Sequence, residues 1–365
     1  MSKLINFTDG STDIYNIRIS NGFQELDELL KPFLKLGKKA AIISDSNVEP
    51  LYGSEVRNII EKMGNPVFTY IFPAGEESKT LDTVQDIYEF LVNNNFERRD
   101  VLIALGGGVT GDLTGFAAAT YLRGISFIQL PTTLLSQTDS SIGGKTGVDF
   151  RGLKNMVGAF YQPLLCYMNM DTLKTLDKRQ YLSGFGEIIK SALIKDRDFF
   201  IWLTEHVDEI MSLEPDIVEE MIYRACLIKK GVVERDIKES GERALLNFGH
   251  TLGHAIEKWT DFKLFHGECV VLGMIAALAI SRERKLISRE DFDSVYKFFI
   301  DCGYRSSISS PDIDAIIACT RSDKKMEAGV LKFILLDGIG NAKIYRDVTE
   351  TELRDSLKIL SDRGE

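Results

Sequence analysis

The first half of the chain alternates short apolar runs with longer amphipathic segments. Four apolar runs have the length of buried strands, and they cover residues 39–44, 66–72, 101–105 and 126–130. Apolar side chains recur at helical spacing between these runs, in segments 50–63, 80–94 and 112–120. Strands that alternate with helices predict a parallel sheet covered on both faces. Ligands bind such sheets beyond the carboxyl ends of the strands.

From about residue 180 the pattern changes to successive amphipathic or apolar helices. The predicted helices cover residues 181–195, 216–234, 243–259, 270–284 and 289–301. A late strand pair is predicted at 330–336 and 341–346, joined through a glycine-containing turn. We therefore predict an α/β domain at 1–179 with a parallel nucleotide-binding-type sheet, and a mainly α-helical domain at 180–365. The active site is expected in the cleft between them.

Composition restricts the class of protein. The 365 residues are 44% hydrophobic and carry a net charge of −10, which argues against nucleic acid or an anionic membrane as a general partner. The five cysteines include no CxxC pair, as is usual in a reducing cytosol. The N-terminal residues lack the apolar core of a signal peptide, and the longest apolar run, 269–280, covers about half a bilayer. We expect a cytoplasmic protein.

Three of the four histidines fall within residues 245–268. His250 and His254 are four residues apart, so one predicted helix places both imidazoles on one face, where Asn247 extends the polar stripe. His266 can fold back onto this face after a loop. Two imidazoles and one carboxylate would complete an open zinc site of the catalytic kind. The alternative is that these are core histidines bonded to the backbone, as is more usual for an isolated one such as His206.

A glycine-rich loop, 106–112, follows an apolar strand and opens a helix. Its amides and the helix N-terminus could bind a pyrophosphate, although tight packing of helix on strand would also explain the glycines. The loop fits GxGxxG, but no suitable acidic residue follows about twenty positions later, as the ordinary dinucleotide fingerprint requires. Asp45, at the end of an earlier strand, is the better candidate to hold a ribose.

The remaining polar candidates lie in glycine-bounded segments. Glu187 follows two helix glycines and precedes Lys190 by one turn, so it is either a metal ligand or half of an ordinary ion pair. Basic and amide side chains stand in similar contexts at Arg123, Lys145, Lys154, Asn155, Lys229, Arg243, Lys324 and Lys325. Each alone is typical of a solvated surface. Together, in an acidic protein, they indicate a pocket for a doubly anionic ligand, such as a phosphate plus a carboxylate.

Several stretches together resemble the 3-dehydroquinate synthase family. They are GGGVTGDLTGFAAATYLRG at 106–124, PTTLLSQTDSSIGGKTGV at 131–148, KNMVGAFYQP at 154–163, GFGEIIKSALI at 184–194, GERALLNFGHTLGHAIE at 241–257, HGE at 266–268 and SDKK at 322–325. The matches occur in order over nearly the whole chain, which makes the resemblance far more specific than any single motif.

The resemblance implies a role for each matching residue. The ligands of one divalent metal, Zn²⁺ or Co²⁺, would be Glu187, His250 and His266. The residues that hold NAD would be Asp45, Asn47, Glu76, Lys79, Gly106, Gly107, Gly108, Val109, Asp112, Thr132, Thr133, Asp139 and Lys154. The side chains around the reacting carbons would be Asp139, Lys145 and Lys190. The phosphate would be bound by His254, Asn155 and Lys324, the substrate carboxylate by Lys229 and Arg243, and Asn247 would orient the substrate. Arg123 would reach in from the second subunit of a homodimer.

The resemblance also implies a reaction, the conversion of 3-deoxy-D-arabino-heptulosonate 7-phosphate to 3-dehydroquinate and phosphate in the shikimate pathway. It would proceed by transient NAD oxidation, phosphate elimination, re-reduction and intramolecular aldol closure. The alternatives are an inosose or valiolone synthase of the same superfamily, a metal-dependent polyol dehydrogenase, a zinc hydrolase and a non-catalytic NAD-binding regulator. Lys229 and Arg243 favour a carboxylate substrate, and Thr251 stands where a zinc hydrolase would have its general-base Glu.

Overall fold

Apolar side chains on both faces of the central strands produce a sheet that is buried on its two sides. The computed structural model describes residues 2–237, 239, 241–321, 326–327 and 330–361. Contacts divide the chain into two units, Met1–Leu176 and Asp177–Glu365.

The first unit alternates strands and helices. Its strands are β1 (Lys3–Asp9), β2 (Thr12–Ser20), β3 (Ala40–Asp45), β4 (Val67–Phe72), β5 (Val101–Gly106), β6 (Ser126–Pro131), β7 (Lys145–Phe150), β8 (Leu153–Phe160) and β9 (Leu165–Asn169). Its α-helices are α1 (Leu26–Leu30), α2 (Ser54–Lys62), α3 (Leu81–Asn93) and α4 (Gly108–Thr120).

Seven strands form one sheet in the order β1-β2-β9-β6-β5-β3-β4, in which the β1–β2 pair is antiparallel and the other pairs are parallel. The four strands expected from the sequence are β3 to β6, so the predicted parallel sheet is confirmed. Successive residues of a strand point to opposite faces of the sheet, and each face packs in its own hydrophobic core. Ile43 and Leu102 pack in the core that includes residues of α3 and α4, and Ile42 and Ile103 pack in the core that includes residues of α1 and α2.

Strands β7 and β8 form a hairpin that the hydrophobic pattern did not predict. Phe150 pairs with Leu153 across the two turn residues, Arg151 and Gly152, which have φ angles of 50° and 75°. Two successive positive φ values are typical of the type I′ turn, which fits the twist of a two-residue hairpin. The hairpin places Lys145 at its start and Asn155 just after its turn.

The second unit is mainly helical, as predicted. Its helices are α5 (Lys178–Lys195), α6 (Arg197–Glu205), α7 (Val207–Met211), α8 (Pro215–Arg235), α9 (His250–Trp259), α10 (His266–Glu283), α11 (Arg289–Asp301), α12 (Ile313–Arg321) and α13 (Glu350–Lys358). Its short strands are β10 (Met326–Glu327), β11 (Val330–Leu331), β12 (Phe333–Leu336) and β13 (Ala342–Tyr345). The pairing of β12 with β13 confirms the late strand pair with shorter bounds. Among the described helices, none has the length and apolar character needed to cross a membrane.

Two predicted helix boundaries around the histidines are wrong. The segment 243–259 is not one helix, because a 3₁₀ turn over Glu242–Asn247 ends before Gly249, which is left-handed with φ 78°. Asn247 therefore does not share a helical face with His250 and His254. The next helix begins at His266 and not at 270, so this histidine occupies the first turn of α10.

Candidate active site

Glu187 is the most deeply buried of the candidate metal ligands, with 2% of its surface exposed. Its Oε2 atom accepts a hydrogen bond from Nζ of Lys190, one turn later on α5. Its Oε1 atom is buried and has no partner in good hydrogen-bonding geometry within the described part of the chain. This oxygen lies 3.4 Å from Nε2 of His250 and 3.4 Å from Nε2 of His266.

These distances fit a metal site better than a hydrogen-bonded cluster. Ligand atoms at zinc distances of about 2.0–2.1 Å lie about 3.3–3.4 Å apart at the corners of a tetrahedron. The two separations from Glu187 Oε1 match this edge length, whereas hydrogen bonds between nitrogen and oxygen are usually near 2.9 Å. An orphaned buried carboxylate oxygen facing two imidazole nitrogens is the donor set that a divalent ion requires.

His254 offers a second possible set of ligands. Its ring centroid lies 5.2 Å from that of His250 and 5.6 Å from that of His266. One nitrogen from each of the three imidazoles lies within 4.8 Å of the others, so an all-histidine site is also geometrically available. The set with Glu187 needs less adjustment, because its two separations from Oε1 already equal a tetrahedral edge.

Close approaches of α10 to α5 and α9 bring the ligands together. A Cβ atom on Gly267 would lie 2.3 Å from the carbonyl oxygen of Ser183 in α5, and the Gly267 N–H donates to Ser183 Oγ at 3.0 Å. A Cβ on Gly273 would lie 1.9 Å from the carbonyl oxygen of Gly249 and 2.7 Å from the nitrogen of Gly253. These backbone contacts leave no space for a larger side chain.

The charges of the cluster are set by burial and by the neighbouring groups. Burial alone would raise the pKa of Glu187, but Lys190 and the two imidazoles outweigh it and hold this pKa well below its usual range. Burial lowers the pKa of His250 well below its ordinary value, against the opposing pull of Glu187. Burial also disfavours charge on His266, but Glu187 and Glu257 outweigh it and raise its pKa to about 9. The carboxylate of the cluster is therefore ionised at neutral pH.

In the first unit, the expected dinucleotide-binding residues gather at the carboxyl ends of β3, β5 and β6. Oδ1 of Asp45 accepts from the N–H groups of Asn47 and Val48 at 2.9 and 3.1 Å, and its Oδ2 accepts from Thr110 Oγ1 at 3.2 Å. Thr132 has a buried hydroxyl without a hydrogen-bond partner among the described residues. Its backbone N–H donates to the carbonyl oxygen of Gly106, which ties the two strand ends together.

The glycine-rich loop is suited to an anionic ligand. Gly107 is the N-cap of α4, and within the described chain no side chain caps this helix end. The free first-turn N–H groups and the helix dipole both favour a phosphate there. Gly106, Gly108 and Val109 complete this loop, and Thr133 lies beside it, 3.2 Å from the position of a Cβ on Gly107. These residues fit a dinucleotide pyrophosphate.

A buried lysine links the expected cofactor residues to an expected phosphate ligand. Lys79 is 5% exposed, and its Nζ lies 2.7 Å from Asp112 Oδ2, 3.9 Å from Glu76 Oε1 and donates to Asn155 Oδ1 at 2.6 Å. Burial lowers the pKa of Lys79, but Asp112 and Glu76 outweigh it and raise this pKa to about 12. Lys154 Nζ lies 4.0 Å from Glu76 Oε1. These five residues come from three segments that are distant in sequence, and they form one polar cluster.

Three other candidates of the first unit occupy different places. Asp139 lies half-buried in the turn Ser136–Ser140, and Lys145 is exposed at the start of β7. Arg123 is exposed in a tight turn where Leu122, Arg123 and Gly124 have φ values of 51°, 64° and 122°. Positive φ is costly for leucine and arginine, so the turn is held in place by its surroundings.

In the second unit, the two cations expected to bind the substrate carboxylate are buried. Lys229 on α8 is 6% exposed and Arg243 is 2% exposed. Arg243 Nη1 donates to the carbonyl oxygen of Ile237 at 2.8 Å. Asn247 Nδ2 donates to Glu239 Oε1 at 3.4 Å. Lys324 and Lys325, two further basic candidates of this unit, lie outside the described residues.

Sequence reasoning gave no role to two residues beside the candidate metal ligands. Arg179 binds Glu268 in the first turn of α10, and Glu257 contacts the imidazole of His266. Thr110 was expected only as a member of the loop 106–112, and its hydroxyl donates to Asp45. Only Glu257 had a visible signal, because it follows His250 by seven residues on an amphipathic helix. His206 has an ordinary structural environment, stacked on the Trp202 ring with Nδ1 2.9 Å from the Trp202 carbonyl oxygen.

Comparison with known proteins covers both units. Residues 69–183 match the family model described as 3-dehydroquinate synthase N-terminal, and residues 184–326 match the one described as 3-dehydroquinate synthase C-terminal. The chain is 43% identical over 336 residues to the 3-dehydroquinate synthase of Acetivibrio thermocellus, covering 92% of each chain. It is 45% identical over 331 residues to that of Nitrosomonas europaea, covering 90% of this chain and 89% of the relative.

Solved structures with related sequences have the same fold. A 2-epi-5-epi-valiolone synthase from Streptomyces hygroscopicus subsp. jinggangensis, with NAD⁺ and Zn²⁺ bound, is 26% identical with a TM-score of 0.89, covering 96% of this chain and 97% of that one. A 2-deoxy-scyllo-inosose synthase, complexed with carbaglucose-6-phosphate, NAD⁺ and Co²⁺, is 27% identical with a TM-score of 0.87, covering 98% and 99%. The sequence relatives and both family models lead to one conclusion: the chain belongs to the 3-dehydroquinate synthase family.

Proposed function

We propose that this protein is a 3-dehydroquinate synthase, a phosphate-eliminating lyase that converts 3-deoxy-D-arabino-heptulosonate 7-phosphate to 3-dehydroquinate and phosphate in the shikimate pathway. The observation that carries the proposal is the Glu187 Oε1 atom, orphaned and 3.4 Å from two imidazole nitrogens, in a chain of this family. A cytoplasmic location and an active site in the cleft between the domains stay predictions.

The cofactors would be NAD and one divalent ion, Zn²⁺ or Co²⁺. Glu187, His250 and His266 would hold the ion. The ion would supply polarisation of substrate oxygens, and NAD a hydride acceptor that is reduced and reoxidised within one turnover. Residues of the first unit would hold NAD, and they are Asp45, Asn47, Glu76, Lys79, Gly106, Gly107, Gly108, Val109, Asp112, Thr132, Thr133, Asp139 and Lys154.

The chain's own side chains would position the charged substrate. Lys229 and Arg243, which are both buried, would bind the carboxylate, because charge-assisted hydrogen bonds from ammonium and guanidinium groups to a carboxylate are strong and directional. His254, Asn155 and Lys324 would bind the phosphate, and Asn247 would orient the substrate. Fixing both anionic ends places the reacting carbons between them, which can contribute several kcal/mol to catalysis.

Proton transfers would fall to residues around the reacting carbons, Asp139, Lys145 and Lys190. Lys190 already donates to Glu187 Oε2, and this contact leaves Oε1 directed at the two imidazoles. The substrate phosphate is itself a possible base for the elimination. We further propose a homodimer in which Arg123 acts in the partner's site, since its strained, exposed turn holds the guanidinium away from its own unit's core.

An assay of metal-stripped protein reconstituted with NAD and Zn²⁺ or Co²⁺ tests this function. Phosphate and dehydroquinate are expected in equal amounts, without accumulation of NADH, and a chelator should stop both. Steady growth of the reduced nicotinamide band, at roughly 340 nm, would instead indicate a dehydrogenase.

A related sugar-phosphate cyclase is the second candidate, because the TM-scores to the valiolone and inosose synthases are 0.89 and 0.87. Lys229 and Arg243, which are both buried, favour a substrate that carries a carboxylate over a sugar phosphate that lacks one. The two candidates can be distinguished by their substrates. If the protein converts a sugar phosphate without a carboxylate faster than the heptulosonate phosphate, it is a related sugar-phosphate cyclase.

A further inference from the structure

Each imidazole that faces Glu187 has a hydrogen-bond acceptor at its other nitrogen. Nδ1 of His250 lies 3.1 Å from the carbonyl oxygen of Phe248. Nδ1 of His266 lies 3.5 Å from Oε2 of Glu257, at the long end of the hydrogen-bonding range. Both rings therefore direct Nε2 to the same carboxylate oxygen and Nδ1 to an oxygen on the opposite side.

The two acceptors differ in kind. The carbonyl of Phe248 is fixed by the backbone two residues before its histidine, so it orients His250 through local chain geometry. Glu257 is a side chain on α9, whereas His266 is the first residue of α10. Its contact therefore crosses between two helices and depends on one carboxylate.

Glu257 is not a surface carboxylate that happens to lie nearby. It is 4% exposed, on the face of α9 that also carries His250, seven residues earlier. Burying a carboxylate is costly unless it is paired or hydrogen-bonded, and a hydrogen bond is stronger in a poorly polarisable interior than in water. Oε2 of Glu257 contacts Nδ1 of His266, whereas Glu187 faces Nε2 of the same ring. Glu257 therefore lies on the side of the imidazole away from Glu187, and it cannot bind an ion that is bound to Nε2.

We propose that Glu257 is a positioning residue that holds the His266 imidazole with Nε2 directed to the metal ion. The inference rests on the proposed function, because it assumes that Glu187, His250 and His266 bind the ion. Once Nε2 binds a metal, the one N–H left on the ring is at Nδ1, and it donates to the Glu257 carboxylate. Such a partner fixes the ring orientation and makes the imidazole a better ligand.

The test compares Glu257→Gln with the wild-type protein in competition between the protein and a chromophoric chelator for Zn²⁺. We expect metal affinity to fall roughly 10- to 100-fold. The Co²⁺-loaded variant should also show a changed visible spectrum, because a rotated imidazole alters the coordination geometry. A residue that only stabilises helix packing would lower the melting temperature and leave the Co²⁺ spectrum unchanged.

Glu352→Gln is the matched control. Glu352 accepts from Arg284, the C-cap of α10, so it contacts the other end of the helix that begins at His266. Its loss should loosen α10 without changing Zn²⁺ affinity. Equal effects of both substitutions on affinity would overturn the positioning role, as would an unchanged affinity and spectrum in Glu257→Gln.

Glu187→Ala separates the two hypotheses. If it abolishes Zn²⁺ binding while Glu257→Gln binds as the wild type does, only the role of Glu257 fails. If Glu187→Ala still binds Zn²⁺ with wild-type affinity, the metal site of the proposed function fails instead. Glu257→Ala, checked for folding by circular dichroism, should weaken Zn²⁺ binding at least as much as Glu257→Gln.

Discussion

At the scale of single residues, the two oxygens of Glu187 have different partners. Oε2 is bound by Lys190, and Oε1 faces two imidazole nitrogens. The contact with Lys190 favours the ionised form of the Glu187 carboxylate and fixes its orientation. Oε1 is then directed at the two imidazole nitrogens. The ordinary i, i+3 ion pair and the metal ligand were alternatives from the sequence, and the geometry accommodates both.

Buried cations give the first residue-scale prediction. Lys229→Ala should raise KM for the heptulosonate phosphate by about tenfold or more, because a hydrogen bond to a charged group contributes about 1.5–3 kcal/mol. Arg243→Ala should act in the same direction. The dissociation constant of NAD should change little in either variant, as measured by nicotinamide fluorescence or calorimetry. Equal loss of substrate and NAD binding would show that these side chains do not bind the carboxylate.

At the scale of helices and strands, the crossing of α9 and α10 depends on glycine. Gly273→Ala would place a Cβ 1.9 Å from the Gly249 carbonyl oxygen. The carbonyl oxygen of Gly249 and the nitrogen of Gly253, which this Cβ would meet, are backbone atoms that cannot turn aside. The two helices must therefore move apart, which should lower the free energy of unfolding by about 1–3 kcal/mol or more. We expect a lower melting temperature together with weaker Zn²⁺ binding, because His266 moves with α10.

The same substitution at Gly231 is the control. Gly231 lies inside α8, and its nearest neighbour to a new Cβ is Arg235 Nη1 at 3.4 Å, the mobile end of a side chain. Gly231→Ala should stabilise the protein by up to about 1 kcal/mol, since alanine is the better helix former. Destabilisation of similar size at both positions would refute the close-packing argument.

The C-terminal end of α10 makes a prediction about pH. Arg284 holds the pKa of Glu352 at about 2, against an ordinary value of 4.5. A lowered folded-state pKa stabilises the protein fully above about pH 4.5, and this contribution is lost as the pH falls towards 2. Because the pair is partly exposed, its contribution is about 1 kcal/mol or less.

Denaturant unfolding of Glu352→Gln should therefore show a deficit against the wild type that is present at pH 7 and shrinks towards pH 3. Asp355→Asn, which removes an exposed ion pair with Lys358, should show almost no deficit at either pH. A Glu352→Gln deficit that stays constant with pH would mean that the ion pair is not its cause.

The sequence predicted elements better than it predicted their junctions. Strands β3 to β6 were found because continuous apolar runs are rare outside buried sheets. The break at Gly249 was missed, since a helical period on both sides conceals one left-handed residue. Strands β1 and β2 were missed because their buried positions alternate with polar ones, a weaker signal.

For the candidate site, the sequence indicated which residues belong to it better than it indicated the contacts they make. The histidine cluster was visible from spacing, and for Glu187 the family resemblance favoured the role of metal ligand over that of an ordinary ion-pair partner. The contacts of Glu257 and Gly273 were not predicted, because they join two helices whose crossing no local pattern specifies. The spacing of Glu257 from His250 indicates a shared helix face but not its partner on α10.

At the scale of the whole molecule, an acidic chain with a net charge of −10 is proposed to bind a substrate with two anionic ends. Long-range attraction cannot draw this substrate in, so affinity must come from local cations. Some of these are proposed to come from a second subunit, and this makes the dimer part of the active site.

Mixed dimers test this arrangement. Arg123→Ala and Glu187→Gln should each be inactive alone, but a heterodimer would contain one site with both native residues. Equal co-expression should then restore about a quarter of wild-type activity, since half of the dimers are mixed and each has one intact site. An Arg123 that acts within its own subunit would give no restoration, and the wild-type protein mixed with either variant controls for exchange.

X-ray absorption at the zinc edge of the Zn²⁺-loaded protein can decide which residues bind the ion, because it counts the imidazoles around it. Coordination by Glu187, His250 and His266 predicts two imidazoles and otherwise oxygen ligands, at about 2.0–2.1 Å. Three imidazoles would assign the ion to His250, His254 and His266 instead. Sulfur at about 2.3 Å, or no histidine at all, would contradict the proposed site.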